Sequence, residues 1–273
     1  MTQYESQLAG KVALVTGASA GIGEALAREI VRRGGSVLLL ARREERVQEI
    51  ASELGERAVG MGGDVTRDGD VARAVAVARE RFGGVDLLFV NAGFGVNGRV
   101  DELSLDDYRR QFETNVFGAI RSVQEALPEL KARSGAIGIV GSVNGYVSIA
   151  GWSAYCMSKH AVRSFATSLR AELANAGVSV THLAPGFVES EFRRVDNQAK
   201  LHETARDPVP TFLVMPADRA AISMLDAVLA RRGEAVITAH GKVAVHFQRH
   251  APWLVARALE VGAGLAHRFG KSI

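Results

Sequence analysis

Seven short apolar runs recur along the chain: KVALVT (11–16), SVLLLA (36–41), AVGMGG (58–63), VDLLFV (85–90), AIGIVG (136–141), VSVTHL (178–183) and EAVIT (234–238). Most are continuously apolar rather than alternating. That is the pattern of strands covered on both faces, as in parallel sheets. Stretches with helical spacing fall between them, at 22–33, 43–54, 68–81, 104–132, 152–175 and 216–230. The alternation predicts an α/β fold, a doubly wound parallel sheet of about seven strands with helices on both faces. Ligands bind such a sheet in the crevice beyond the carboxyl ends of the strands.

A chain of 273 residues, 47% of them hydrophobic, can bury the core of one large domain, and no linker or repeat divides it. We read 1–273 as a single domain with a small substrate lobe near 186–215 and a helical extension over 239–273. The 186–215 segment is too long for an ordinary connection and carries Pro208 and Pro210. The formal charge of +3 is spread without a basic stripe, which argues against nucleic acid. One cysteine, Cys156, rules out a disulfide within the chain. No apolar run approaches the ~20 residues of a membrane span, and the first nine residues lack a signal-peptide core, so a cytoplasmic protein is expected. His246 and His250 are four apart but lack a third ligand at convincing spacing, so no metal is expected. In 252–271, Arg257, Glu260, Gly264, Arg268 and Lys271 share a helical face and Leu254, Leu259, Leu265 and Phe269 lie largely off it. Such a helix packs over the pocket or against a partner subunit; peripheral membrane contact, with Trp253 and the basic residues, is the alternative.

The first apolar run leads into TGASAGIG, Thr16 to Gly23, and then into a helix. Three glycines let the backbone turn sharply and approach a ligand closely. The following helix start offers free N–H groups and a positive dipole end to a pyrophosphate. A glycine triplet in this strand–turn–helix setting predicts dinucleotide binding. After the second run come Arg42 and Arg43, where NAD-binding folds often place an acid on the ribose 2′-hydroxyl. Guanidinium groups there suit a 2′-phosphate, so NADP(H) is expected over NAD(H).

Six motifs then stand in a telling order: TGASAGIG (16–23), NAG (91–93), TN (114–115), Ser142, YCMSK (155–159) and PG (185–186). In order and spacing the chain resembles the short-chain dehydrogenase/reductase family over about 11–238, and within it an NADP-preferring carbonyl reductase. Ser142 precedes Tyr155 by thirteen residues, as in that family. The resemblance implies a Rossmann-type domain and a reaction that moves hydride between NADP(H) and a ketone or aldehyde, or the corresponding alcohol. It makes Tyr155 the general acid or base, Ser142 the group that binds the carbonyl oxygen, and Asn115 the holder of a relay water. Lys159 would tune the phenol and hold the nicotinamide ribose. A free phenol has a pKa near ~10, and a neighbouring cation is expected to lower it; Tyr155 and Lys159 are one helical turn apart.

The cofactor contacts implied are Gly17, Ser19, Gly21, Ile22 and Gly23 in the turn and Arg42 at the 2′-phosphate. Asp64 and Val65 would lie at the adenine, and Asn91, Ala92 and Gly93 along the cleft. Tyr155 and Lys159 join them, with Pro185, Gly186 and Val188 on the nicotinamide side. Ser190 stands where many members carry a threonine. Phe94, Val96, Val147, Trp152, Phe187 and Phe192 are the expected pocket wall, which suits an apolar substrate. The family commonly assembles through the helices bearing Asn115 and Tyr155, so a homodimer or homotetramer is expected. The competing class is a non-catalytic NADP-binding redox sensor or scaffold.

Overall fold

The structure, a computed structural model, describes residues 7–202 and 209–268, with side chains described as far as Gly262. Expectations that involve residues 1–6, Pro208, the helical face at Gly264, the side chains of Leu265 and Arg268, and Phe269 and Lys271 lie outside the described residues. Seven strands are described: β1 Val12–Thr16, β2 Ser36–Ala41, β3 Ala58–Gly62, β4 Leu87–Val90, β5 Ala136–Val140, β6 Ser179–Ala184 and β7 Glu234–Val236. They form one sheet in the order β3-β2-β1-β4-β5-β6-β7, every pairing parallel. The order reverses between β1 and β4, which places the ligand crevice at their carboxyl ends.

The apolar runs explain the layering. Ala13, Val15, Val37 and Leu39 point into one core with Leu26, Ala27 and Ile30 of α1 (Gly21–Arg32). Val12, Leu14, Leu38 and Leu40 point into the other, with residues of α3 (Asp70–Phe82), α5 (Gly118–Ala132) and α6 (Ser153–Leu173). Successive side chains of a strand face opposite ways, so a run that is apolar throughout must be covered twice. α2 (Glu44–Leu54) and α7 (Ala217–Leu229) add to the first layer through Val47, Ile50, Met224 and Leu225. Just before β4, buried Asp86 accepts the Val12 N–H and the Lys11 ammonium, both at 3.0 Å.

Two helical expectations are refined. The stretch 104–132 is α4 (Leu105–Phe112), a π-helical turn at Glu113–Phe117, and α5. Ser104 opens it with a capping box, its Oγ accepting from Asp107 N–H while the Asp107 carboxylate accepts from Ser104 N–H. The extension is two helices, α8 (Ala239–His250) and α9 (Pro252–Arg268), broken at Ala251 because Pro252 starts a helix but cannot continue one. The stripe that packs inward is Val245, Val255 and Leu259, onto Tyr146 and Val147. Leu254, expected on the apolar face, is 44% exposed. Among the described residues, no helix is long and apolar enough to cross a membrane.

The contact between β3 and α2 has no room for a side chain at Gly60. A Cβ there would stand 2.2 Å from the Val47 carbonyl oxygen and 2.4 Å from its carbon. Gly60→Ala should therefore lower stability by about 1–3 kcal/mol, read as a lower urea midpoint at unchanged slope; a midpoint equal to wild type would contradict the packing described.

Candidate active site

The glycine turn is held by the strand beside it. Thr16 Oγ1 accepts from Asn91 and Ala92 N–H at 3.0 and 3.1 Å, and Asn91 Nδ2 donates to the Thr16 and Gly17 carbonyls at 3.0 Å. Gly17 has φ +65°, and a Cβ on it would lie 2.7 Å from Ala92 Cα. The backbone thus takes a left-handed step where only glycine avoids both strain and collision. Gly21 then starts α1, whose N-cap, Ala20, contributes no side-chain hydrogen bond. The first-turn N–H groups keep no capping acceptor, which is what an anion site requires.

Along the cleft from this turn stand Ser19, Ile22, Arg42, Asp64, Val65, Ala92 and Gly93. Gly23 lies beneath, where a Cβ would be 2.4 Å from the Gly17 carbonyl oxygen. Arg43 is spent on structure: it donates to Ser19 Oγ and to the Glu191 carboxylate at 2.6 Å. Among the described residues, Arg42 keeps a single contact, 3.4 Å to the Ala199 carbonyl. Asp64 Oδ1 accepts from Thr66 N–H and Oγ1, both at 2.9 Å, and Arg121 donates to the Val65 carbonyl at 2.8 Å. The 1470 Å³ cleft, its open helix start and its glycine turn fit a dinucleotide.

Ser142 follows β5 with Oγ accepting from Asn144 N–H at 3.1 Å, and it lines the cleft together with Tyr155 from α6. Lys159, one turn on, donates to the Val140 carbonyl at 2.9 Å and lies 5.7 Å from the Tyr155 ring centre. Both are buried. The expected lowering of the phenol is not what the geometry produces. Burial pushes Tyr155 up to about 12, against a smaller downward pull from Ser142 and Arg193. Burial also brings Lys159 down to about 8. With water excluded, loss of solvation dominates both shifts. The phenol therefore holds its proton at neutral pH, the form a general acid needs, and the ammonium keeps its charge.

Asn115 sits in the π-helical turn, behind the cleft wall. Its amide accepts from Phe94 N–H at 3.1 Å and donates to the Phe94 carbonyl at 3.0 Å and to Ser158 Oγ at 3.2 Å. The side chain thus fixes the 91–94 loop to α6. Pro185, Gly186 and Val188 line the opposite wall, and the Pro185 carbonyl accepts Val143 N–H at 2.9 Å. Of the apolar wall, Phe94, Val147, Trp152, Phe187 and Phe192 line the cleft. Phe192 lies 5.3 Å from the Tyr155 ring and stacks on Trp152 at 6.5 Å. Val96 does not line it. It is fully buried with Phe94 and Ala154, its N–H donating to Gln111 Oε1 at 2.6 Å. Residues not anticipated include Arg193 and, from α8, His240 and Ala244.

The profile of the family described as short chain dehydrogenase matches residues 11–201. The chain belongs to the short-chain dehydrogenase family. Its relatives in this family include an uncharacterized oxidoreductase of Staphylococcus epidermidis, 34% identical over 66% of this chain and 79% of that protein. The oxidoreductase BOA17 of Botryotinia fuckeliana is 34% identical over 67% of each. A short-chain dehydrogenase/reductase of Burkholderia phymatum, solved with NAD, superposes with a TM-score of 0.80 at 27% identity, covering 93% of this chain and 96% of that one. A 3-ketoacyl-(acyl-carrier-protein) reductase of Brucella melitensis, solved with NADH, gives 0.75 at 27% identity over 84% and 97%. The chain is thus an oxidoreductase of this family with its seven-strand parallel, Rossmann-type fold.

For the coenzyme-free protein, the ultraviolet difference spectrum between wild type and Tyr155→Phe should show no phenolate as pH rises past the ordinary tyrosine range, appearing only near pH 12. A phenolate signal at or below pH 10 would show that the lysine, not burial, governs the ring.

Proposed function

We propose that the protein interconverts an apolar ketone or aldehyde and its alcohol with NADP(H), Tyr155 acting as general acid in reduction and general base in oxidation. The observation that carries this reading is the meeting of Ser142, Tyr155 and Lys159 in one cleft with the glycine turn. The coenzyme gives or takes the hydride. Ser142 and Tyr155 line the same cleft, and in this reading one carbonyl oxygen accepts from both hydroxyls and its developing charge is stabilised. Tyr155 passes its proton to that oxygen. The Lys159 ammonium then faces the phenolate left behind, at a distance where opposite charges in a buried site attract strongly. Trp152, Phe187 and Phe192 shut water from the reacting face and favour an apolar substrate. The segment 186–215 serves as the substrate lobe in this reading, since Phe187 and Phe192 come from it.

The Burkholderia and Brucella proteins were solved with NAD and NADH. The preference for NADP(H) proposed here rests on Arg42, which lines the cleft after β2 with no acid between Ala41 and Glu44. Assembly into a homodimer or homotetramer belongs to the same reading; Phe117 and Met157, on the Asn115 and Tyr155 helical elements, are both about half exposed.

Two measurements test the proposal. In a carbonyl panel with NADPH, Tyr155→Phe should lower kcat by about 10²-fold or more while coenzyme binding persists. A variant near the wild-type rate would remove the general acid and favour a non-catalytic coenzyme-binding module. Arg42→Ala should weaken NADPH binding about tenfold or more, the scale of a lost charge-assisted hydrogen bond, and leave NADH nearly unchanged. Equal losses for both would overturn the phosphate assignment.

A further inference from the structure

The C-terminal extension reaches into the cleft with a side chain that has no part in the chemistry above. His240 lies in the first turn of α8, beyond the 11–201 family match, and lines the wall beside Gly186 and Phe187. Its Nε2 accepts the Phe187 N–H at 3.0 Å and lies 3.2 Å from Thr238 Oγ1. A ring nitrogen that accepts carries no proton, so the neutral imidazole holds its proton on Nδ1. Thr238, the N-cap of α8, accepts Gly241 N–H at 3.3 Å and packs its hydroxyl beside Nε2. The Phe187 ring stacks on the imidazole at 5.2 Å and 28°. Gly186 is matched to this arrangement: a Cβ there would stand 2.2 Å from Nε2 and 2.4 Å from Thr238 Oγ1.

The rest of the loop is pinned elsewhere. Pro185 is tied to the Ser142 turn by the Val143 N–H, and Met215 N–H donates to the Phe187 carbonyl at 3.0 Å. The Phe187 N–H is satisfied by His240 alone among the hydrogen bonds of the described residues. We infer that His240 is a positioning residue: from the C-terminal extension it holds the Pro185–Val188 backbone in the place where the nicotinamide end of the coenzyme binds. The inference rests on the coenzyme reading above and adds to it a part of the chain outside the family match.

Protonation exposes the role. A proton on Nε2 would set a donor against the Phe187 N–H, and the contact would be lost. Burial holds the His240 pKa below the ordinary imidazole value, so the contact is present at neutral pH and is lost as pH falls below that value. The charged group nearest this pair on the loop is Arg193, 5.9 Å from the Phe187 ring centre.

The test is coenzyme binding by fluorescence titration on the full chain, with NADPH and NADH in parallel. His240→Phe keeps the stacked ring and removes the acceptor; it should weaken binding about five- to tenfold. His240→Gln, whose Oε1 can accept, should stay within about twofold of wild type. With NADH, which has no 2′-phosphate to titrate, wild-type affinity should fall on the acid side and that of His240→Gln should not. Wild-type affinity in His240→Phe, equal losses in both variants, or parallel pH profiles would each overturn the inference. Should His240→Phe not fold, the two pH profiles decide it. A wild type that binds neither coenzyme would instead overturn the coenzyme reading itself, and the inference with it.

Discussion

The structure depends on the stitching of β1 to β4 at their carboxyl ends. A threonine hydroxyl and an asparagine amide, Thr16 and Asn91, exchange five hydrogen bonds with backbone and so bind the two strands where the sheet order reverses. These bonds hold the two strands together at the mouth of the crevice. Gly17 is forced by the same closeness, since its Cα approaches Ala92 with no space for a methyl group. The open start of α1 is then aimed into that crevice by a backbone that has one way to turn.

Around this fixed centre the site is assembled from elements far apart in the chain. Ser142 comes from the end of β5, Tyr155 and Lys159 from α6, and the facing wall from the loop after β6. Water exclusion has a definite electrostatic result. It raises the phenol and lowers the ammonium, so each group is biased toward its neutral form. In the proposed reduction that bias would suit Tyr155, because a general acid must begin with its proton. Burial also makes any charge formed later feel its neighbour strongly, as water no longer screens the pair.

The extension changes what counts as the edge of the site. Tyr146, which follows the Ser142 turn, is covered by Val245, Val255 and Leu259 from α8 and α9. Its hydroxyl meets buried His182 Nδ1 at 3.1 Å, and Arg163 lies 3.9 Å over its ring. His182 is brought down to about 4 by burial and is neutral at ordinary pH. The turn that presents Ser142 is therefore backed by a packed apolar surface and an uncharged imidazole, which resist displacement without pulling on the serine.

Strand and helix order were legible because continuous apolar runs can be stable only when covered on both faces, and the glycine turn because its residues answer a local backbone demand. The spacing of Tyr155 and Lys159 was legible for the same reason: one helical turn is a local distance. Val96 was misplaced because it stands two residues from the wall residue Phe94 and looks like it in sequence, while burial depends on Gln111 and Ala154 from other elements. Leu254 was misassigned because helical spacing defines a stripe but not its rotation, which here follows Tyr146. His240 carried no signal at all, since its partner Phe187 is 53 residues away. By itself the sequence determined the fold class and the local chemistry of each motif, because those follow from periodicity and backbone sterics. Only the tertiary structure decided which side chains share the cleft, which guanidinium stays available, and on which side of their ordinary values the phenol and ammonium lie, because solvation is set by what is packed around a group and not by its neighbours in the chain.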